Sequence, residues 1–361
     1  MNSLSESEKS KTAYGVFIDG RAGTTGLRIE AYLSSRDDIR LIDIDESKRK
    51  DTSARLAKIE EADIAFLCLP DGDARAIVAA LDAKAREDGP DSNAAKARVI
   101  DASTAHRTDS GWVYGLPELA PGQRARIAGA NRVAMAGCHA AGFILLARPL
   151  VDAGLAPKDY PFAAFSLTGY SGGGKRMIAE YEDSASGHGG PTPDSGEPAA
   201  AARGNGDPSL AAPRQYALGQ GHKHLPEMTL MAGIEKPPVF SPVVADYYAG
   251  MEVAVPLHTD ILARPRVTRQ DIWKALEERY AGEPFVTVMP EGAENEGVEP
   301  GFLSASAMAG RNDVEIYVTG NDDRVLLIAR YDNLGKGASG SGVQCMNLML
   351  GLPEERGLKR R

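Results

Sequence analysis

The residue best suited to covalent chemistry is Cys138. It stands at the start of an apolar run, from about Ala140 to Ala153, whose composition predicts a helix. A thiol at a helix N-terminus has its thiolate stabilised by unpaired N–H groups and the helix dipole. The same N–H groups could hold an oxyanion. The other thiols, Cys68 and Cys345, lie in apolar segments typical of a core. Cys138 is therefore the predicted nucleophile.

A nucleophilic cysteine usually needs a base, and the chain has six histidines. His222 and His224 occur in the segment GHKHLPEM, and at this spacing both lie on one face of an extended segment. No third ligand is spaced along the sequence to complete a zinc site with them, so no metal is predicted. His106 and His139 adjoin other candidate segments. His222 and His224 are the predicted acid–base pair, and the sequence does not choose between them.

A glycine loop near the start predicts a dinucleotide site. Gly20, Gly23 and Gly26 follow an apolar strand, Tyr14–Gly20, and precede residues with helical spacing. Glycines there allow a pyrophosphate to approach the backbone at a helix N-terminus. The spacing G-x-x-G-x-x-G departs from the usual fingerprint, and an ordinary strand–helix turn is the alternative.

The end of the second strand, Ile39–Asp45, bears on which nicotinamide cofactor binds. Acidic residues there favour NAD, whereas cations favour the 2′-phosphate of NADP. Asp43 and Asp45 lie near this end, but a basic segment follows immediately. The predicted NADP ligands in that segment are Ser47, Lys48 and Arg49. A solvated basic turn is the alternative.

The segment GYSGGGKR nearly matches a phosphate-binding loop of nucleotide kinases. Its last position is Arg176, which offers no hydroxyl for magnesium. A loop that brings backbone N–H groups to a small substrate, Gly173 among them, is the better interpretation.

Composition sets the frame for these motifs. The 361 residues carry 41 Lys and Arg against 50 Asp and Glu, a net charge of −9, which argues against nucleic-acid binding. No window approaches the ~18 apolar residues of a membrane span. Residues 1–13 read as a disordered tail without the features of a signal peptide. Three unpaired cysteines fit the reducing cytoplasm.

Strands alternate with helices over residues 14–136, which predicts a parallel, doubly wound sheet. Residues 137–332 mix alternating strands with an amphipathic helix that Thr268 caps, and so predict an α+β domain. Residues 186–213 are rich in Gly, Pro, Ala and Asp, and we expect a long surface loop there. The predicted fold class is thus α/β, a Rossmann-type domain followed by an α+β domain.

Taken together, the segments resemble the N-acetyl-γ-glutamyl-phosphate reductase family, in its shorter bacterial type. The resemblance spans residues 16–351. It is carried by VFIDGRAGTTGLRI, DESKRKD, ADIAFLCLPDGDAR, VIDASTAHRT, GWVYGLPEL, AGCHAAGF, GHKHLPEM and DNLGKGASGSGVQCMNLMLG.

The resemblance implies a fold like that of aspartate-semialdehyde dehydrogenase. Residues 333–361 would return to the first domain, the second domain would make homodimer or homotetramer contacts, and residues 186–213 would be an insertion. Further residues would contact NADP(H): Thr24, Thr25, Pro70, Ser103, Asn333, Lys336 and Gly337.

The resemblance also implies a reaction. Cys138 would attack an acyl phosphate, phosphate would leave a thioester, and hydride from NADPH would give the semialdehyde. Arg107 would clamp a phosphate or carboxylate, the amide of His139 would hold the oxyanion, and Glu227 would orient a histidine or the substrate.

Three other readings remain open. Related reductases act on aminoadipyl or carrier-linked substrates, and one methylene changes binding by only ~1–3 kcal/mol. Aspartate-semialdehyde dehydrogenase itself is a further candidate. A redox-sensing NADP-binding regulator without turnover is the alternative from a different class.

Overall fold

The computed structural model describes residues 13–186, 208–263, 267–296 and 299–360. The predicted tail, apart from its last residue, lies outside the described residues, as do residues 187–207 of the predicted loop. No helix among the described residues is both long and apolar enough to cross a membrane.

The first half of the chain builds a six-stranded, wholly parallel sheet in the order β2-β1-β3-β4-β6-β5. The strands are β1 Tyr14–Asp19, β2 Ile39–Ile42, β3 Ile64–Leu67, β4 Val99–Asp101, β5 Val113–Gly115 and β6 Arg132–Met135. The helices are α1 Thr24–Leu33, α2 Thr52–Glu61, α3 Asp71–Asp88, α4 Asn93–Lys96, α5 Gln123–Ala128 and α6 Cys138–Asp152. Buried side chains of α2 and α3 cover one face of the sheet, and those of α1 cover the other. Apolar strands buried on both faces are what a parallel sheet requires.

The second half builds a seven-stranded mixed sheet in the order β11-β12-β13-β10-β7-β9-β8. Its strands are β7 Ala163–Gly169, β8 Arg214–Gln215, β9 Val239–Ala245, β10 Met251–His258, β11 Val286–Val288, β12 Val314–Gly320 and β13 Arg324–Tyr331. The helices are α7 Gly174–Ser186, α8 Pro208–Ala211, α9 Leu225–Ala232, α10 Arg269–Tyr280 and α11 Gly340–Met349. Helices α6 and α10 pack with one face of this sheet in the largest apolar core. The predicted combination of a Rossmann-type domain and an α+β domain is confirmed.

Three local expectations were wrong. The helix that carries the nucleophile begins at Cys138 and not near Ala140, because Gly137 is extended and lets the helix start at once. The segment with His222 and His224 is not extended: a turn leads directly into α9, with His224 as its N-cap. Among the described residues of the predicted loop 186–213, Ser186 ends α7 and Pro208–Ala211 form α8, and β8 begins directly after the range.

The C-terminal segment crosses from the second sheet back to the first. Strand β13 leads into a π-helix, Gly335–Ser339, and then into α11. Val343, Cys345 and Met346 of α11 pack in the same core as Val16 of β1. The last helix therefore completes the core that the first strand begins.

A buried charge cluster anchors this segment. The Lys336 ammonium donates to both carboxylate oxygens of Glu118 at 2.8 Å and to Gln344 Oε1 at 2.6 Å, and the side chains of Lys336 and Glu118 are fully buried. Arg124 binds Glu354 nearby, at 2.7 Å. Burial raises the pKa of the Glu118 carboxyl, but the Lys336 ammonium and the Gln344 amide lower it by more. The pKa of Glu118 therefore lies below its usual value.

We expect Lys336→Met to lower the free energy of unfolding by about 3–5 kcal/mol, because it leaves the Glu118 carboxylate buried without its cation. Urea unfolding would measure the loss. The double variant Lys336→Met/Glu118→Leu removes both charges and should recover much of the stability. Equal losses in the two variants would contradict an ion-pair role for Lys336.

Candidate active site

A cavity of about 370 Å³ opens where the two sheets meet. The first half contributes Thr24 and Thr25 from the start of α1 together with Arg107, and the second half contributes Tyr216 and Lys223. The remaining polar or reactive side chains on its wall are Cys138, His139, Thr168, Ser171, His222, His224 and Asn333. The cavity therefore brings the predicted nucleophile and both predicted acid–base histidines to one place.

Cys138 is the first residue of α6, and its surroundings hold the helix start in place. The Tyr331 hydroxyl donates to the Cys138 carbonyl at 2.6 Å and accepts from the Gly142 amide at 3.1 Å. The π-helix passes so close that a side chain at Gly337 would lie 3.0 Å from Cys138 Cβ. Strand β13 and the C-terminal segment thus fix the backbone that carries the thiol.

Two opposing effects act on the Cys138 thiol. Burial raises its pKa above the ordinary value, while the Arg107 guanidinium, the His139 amide and the Lys223 ammonium oppose that rise. The net direction is upward, so the free site holds a thiol and not a thiolate at neutral pH. Attack by this sulfur therefore requires a proton acceptor in the cavity.

The histidines around the thiol are neutral bases. Burial lowers the pKa of His139 to about 3 and of His222 to about 4, and it takes that of His224 well below its usual value. Ring nitrogens of His139 and His224 lie within 4.8 Å of the Cys138 sulfur and of each other. The His222 ring packs edge-on against His224, with centroids 4.7 Å apart, and its Nδ1 accepts from the His224 amide. A ring nitrogen of His224 thus lies near the thiol, while the His222 ring packs against His224 and lines the same cavity.

His139 and His224 differ in their hydrogen bonds. His139 Nδ1 bonds with Ser166 Oγ and its Nε2 with the Tyr216 hydroxyl, each at 2.7 Å. His224 is buried, and its Nδ1 has no hydrogen-bond partner within the described part of the chain. The two rings beside the sulfur thus differ, because, among the described residues, both His139 nitrogens are hydrogen-bonded and His224 Nδ1 is not.

Glu227 lies behind the cavity wall and gathers three donors. Its carboxylate accepts from Arg107 Nη1 and the Tyr114 hydroxyl, each at 2.6 Å, and from the Gly137 amide at 3.0 Å. A side chain at Gly137 would lie within 2.4–2.7 Å of the Arg107, Glu227 and His224 side chains, so only glycine fits there. Glu227 was predicted to orient a histidine or the substrate; its carboxylate holds Arg107 at the cavity and also lies 4.0 Å from His224 Nε2.

The glycine loop fits a pyrophosphate. Gly20 has φ of +79°, and a Cβ there would lie 2.2 Å from the Cys68 carbonyl, so the loop presses against the end of β3. Gly23 caps α1 without a side-chain hydrogen bond, which leaves the first-turn amides free for an anion. Gly26 lies inside α1 against the loop backbone. Strands β2 and β3 flank β1, and ligands bind at such a switch point.

A second cavity, of about 600 Å³, adjoins the loop. Its polar wall includes Arg21, Asp43, Glu46, Ser47, Arg49 and Lys50. Arg21 donates to Glu30 and is also paired with Asp43 at the end of β2. A cavity of this size and place can take the adenosine half of a dinucleotide.

The remaining predicted residues divide into two groups. Gly173, Asn333 and Gly337 border the first cavity, and Asn333 is held by Gly250 N and Ser171. Outside the walls of both cavities lie Lys48, Pro70, Ser103 and Lys336. Ser103 instead bonds Asp101, Pro70 caps α3, and Lys336 is committed to Glu118.

Sequence reasoning missed Tyr216, Lys223 and Arg21 at these cavities, and Tyr331, which holds the backbone of Cys138. Lys223 stands between two predicted histidines and Arg21 within the glycine loop, so both could have been found by position. Tyr216 and Tyr331 carry no local signal, because they reach the site through β-sheet pairing far from Cys138.

Profiles of two families match the chain. The description "Semialdehyde dehydrogenase, NAD binding domain" matches residues 20–127, and "Semialdehyde dehydrogenase, dimerisation domain" matches residues 199–333. Aspartate semialdehyde dehydrogenase II of Vibrio cholerae has a similar structure, with a TM-score of 0.64 at 16% identity, over 94% of this chain and 98% of that one. The aspartate semialdehyde dehydrogenase of Candida albicans, whose structure was solved with NADP, has a TM-score of 0.56 at 13% identity, over 94% of this chain and 98% of that one. Fold and profiles together define the semialdehyde dehydrogenase class of enzymes.

Among curated proteins, N-acetyl-gamma-glutamyl-phosphate reductase 2 of a Nostoc species is 43% identical over 95% of this chain and 98% of its own length. The Brucella ovis N-acetyl-gamma-glutamyl-phosphate reductase is 41% identical over 93% and 98%. The chain belongs to the N-acetyl-γ-glutamyl-phosphate reductase family, as the sequence motifs predicted.

The buried neutral histidines make stability depend on pH. An unfolded histidine takes up a proton below about pH 6.5, whereas folded His139 and His224 do so only at much lower pH, so the unfolded state is favoured as pH falls. Each should cost the fold about 1.4 kcal/mol between about pH 7.5 and 5.5. Urea unfolding at the two pH values would measure this.

The variant His139→Gln should lose less stability than the parent protein between about pH 7.5 and 5.5. The difference should equal the contribution of one buried histidine, about 1.4 kcal/mol in the free energy of unfolding. The exposed His258→Gln, at the end of β10, is the matched control. The same pH dependence in His139→Gln and the parent protein would contradict the assignment.

Proposed function

We propose that the chain reduces N-acetyl-γ-glutamyl phosphate to N-acetylglutamate semialdehyde and phosphate, with NADPH as reductant and a thioester on Cys138. The observation that carries this proposal is the placement of the Cys138 thiol at the start of α6, within 4.8 Å of a neutral His224 ring. The names of the relatives supply the substrate.

The proposed first step is attack of Cys138 on the acyl carbonyl. The thiol proton passes to the neutral His224 ring, one nitrogen of which lies within 4.8 Å of the sulfur. Amides of the first turn of α6, that of His139 among them, hold the oxyanion. Expulsion of phosphate then leaves the acyl group on the sulfur.

The second step is reduction of this thioester. NADPH, when bound, supplies a hydride to the acyl carbon. The protonated His224 then gives its proton to the carbonyl oxygen, which becomes the hydroxyl of the thiohemiacetal. When the thiohemiacetal collapses, the C–S bond breaks, the hydroxyl proton returns to His224, and the aldehyde and the Cys138 thiolate are released. His224 then passes this proton to the sulfur, which restores the thiol and the neutral imidazole.

Substrate binding falls to the cations of the cavity. The Arg107 guanidinium is held by Glu227 at the wall, and the exposed Lys223 faces the same space. An acyl phosphate with an α-carboxylate carries negative charge at both ends. A planar guanidinium pairs with either group in a bidentate manner.

The proposed cofactor is NADP(H). The basic groups on the wall of the second cavity, Arg21, Arg49 and Lys50, can meet a 2′-phosphate together with Ser47. Asp43, which could hold the ribose hydroxyls of NAD, is already paired with Arg21. The pyrophosphate would lie on Gly20, Gly23 and the start of α1.

A homodimer or larger homo-oligomer is also proposed. Phe165 and Val239 lie on paired strands β7 and β9, and 53% and 64% of their surfaces are exposed on the sheet face opposite α6. Apolar side chains on an open sheet face favour burial against a second copy. Cytoplasmic location stays a prediction from the three free cysteines.

The proposed reaction is tested in reverse, with N-acetylglutamate semialdehyde, phosphate and NADP⁺, by following NADPH absorbance. Turnover should require phosphate. Cys138→Ser should lower kcat by at least about 1,000-fold, as loss of a nucleophile does, while NADP⁺ still binds. Cys68→Ser, a thiol outside both cavities, is the matched control and should retain activity.

Retained turnover in Cys138→Ser would refute the covalent mechanism. Turnover only with the aminoadipyl semialdehyde would keep the mechanism and change the substrate. NADP⁺ binding without turnover on either aldehyde would favour the regulator.

Cofactor choice is tested by Arg21→Ala and Arg49→Ala. Each variant should lower the affinity for NADPH by about 10-fold or more, because a charge-assisted hydrogen bond is worth roughly 1.5–3 kcal/mol. The affinity for NADH should change by less than about 2-fold. Lys48→Ala, next to Arg49 but outside the cavity wall, is the control. Fluorescence titration of both cofactors measures the ratio, and equal losses for NADPH and NADH would exclude these arginines as 2′-phosphate ligands.

A further inference from the structure

We infer that the first cavity holds a binding site for a soft divalent cation, Zn²⁺ above all, formed by Cys138, His139 and His224. One ligand atom from each residue lies within 4.8 Å of the others. Thiolate and imidazole are the donors that zinc prefers. A metal there would occupy the nucleophile Cys138, so the site is inhibitory and is not part of the catalytic cycle.

The spacing of the three donors suits a tetrahedral ion after a small contraction. With Zn–S near 2.3 Å and Zn–N near 2.0–2.1 Å, donors in a tetrahedron lie about 3.3–3.5 Å apart. Closing from 4.8 Å requires side-chain shifts of about 1 Å. The fourth position opens toward the cavity, where water completes the coordination.

His224 is prepared for this role. Its ring is buried and neutral, and its Nδ1 lacks a hydrogen-bond partner within the described residues. Its other nitrogen, Nε2, lies 4.0 Å from Glu227 Oε1. A histidine that binds a metal usually directs its second nitrogen to a carboxylate, and Glu227 is placed to serve in that way.

His139 can join by exchanging one partner. Its Nδ1 is bonded to the buried Ser166, which would remain and fix the ring. Its Nε2 is bonded to the Tyr216 hydroxyl, which lines the cavity and is the partner that a metal would displace. The Tyr216 hydroxyl therefore competes with the metal for His139.

The charges of the site permit a dication. Arg107 and Lys223 are the cations that face it, and Glu227 already neutralises Arg107. When the metal binds, the Cys138 S–H bond breaks, a Zn–S bond forms and the proton leaves to solvent. The new thiolate offsets the charge of Lys223, and the release of one proton makes binding stronger at higher pH.

Reduced, chelator-treated full-length protein would be titrated with Co²⁺ and with Zn²⁺. We expect one ion per chain and a near-ultraviolet sulfur-to-cobalt charge-transfer band, which Zn²⁺ abolishes by displacement. Cys138→Ser should remove the band. His139→Ala and His224→Ala should each lower the affinity for Zn²⁺ by more than about 100-fold. Loss of a residue that only hydrogen-bonds a metal ligand already lowers metal affinity by about 10–100-fold, and these two residues are ligands themselves.

The variant Tyr216→Phe distinguishes binding of Zn²⁺ by the three proposed donors from nonspecific binding. It frees His139 Nε2, and so should tighten Zn²⁺ binding. Weaker binding in this variant would overturn the proposed donor set, since it would make the phenol itself a ligand. Cys68→Ser and His258→Ala, which alter a thiol and a histidine outside the cavity, are controls that should bind normally.

Alkylation gives a readout that does not depend on turnover. Zn²⁺ should slow the reaction of Cys138 with iodoacetamide, and EDTA should restore it. Absence of a cobalt band, or unchanged Zn²⁺ affinity in Cys138→Ser, would refute the site whether or not the chain reduces an acyl phosphate.

Discussion

The carboxylate of Glu227, on α9 in the second half of the chain, is the contact on which the site depends. It binds Arg107, which follows β4, Tyr114, which lies in β5, and the Gly137 amide, which precedes the nucleophile. A buried carboxylate is stable only when such donors satisfy it. The two halves of the molecule are therefore joined at the place where the chemistry is assembled.

Burial is the second constraint, and it acts on all the reactive groups alike. The low-dielectric surroundings keep Cys138 a thiol and keep His139, His222 and His224 neutral. A resting site with a neutral acid and neutral bases avoids the cost of unpaired buried charge. The charged pair of thiolate and imidazolium then arises only when a reaction or a metal creates it.

Much of the fold could be predicted, because local patterns determine it. The apolar runs of β1 and β3 and the Gly20–Gly26 loop specify a parallel sheet, and Gly137 before Cys138 marks a helix start. The choice between His222 and His224 could not be predicted, because it depends on the turn before α9, which brings a His224 ring nitrogen within 4.8 Å of the Cys138 sulfur.

Long-range burial accounts for the other differences. Lys336 has the sequence context of a ligand-binding residue. Its ammonium nevertheless forms a buried ion pair with Glu118, 218 positions away in the chain. The sequence places Arg21 in the glycine loop without indicating a partner. In the structure, the pairing of β2 with β1 brings Asp43 beside Arg21, and the two form an ion pair. Motif spacing carries no information on such partners, since the strands that bring them together are set by the whole topology.

The course of the C-terminal segment bears on how the protein folds as it is synthesised. The core that Val16 begins is completed by Val343 and Met346, so the N-terminal sheet is finished last although it is translated first. At about 5–20 residues per second, its open face must wait many seconds for α11 to emerge. Throughout that interval the nascent sheet exposes an apolar surface that a chaperone could cover.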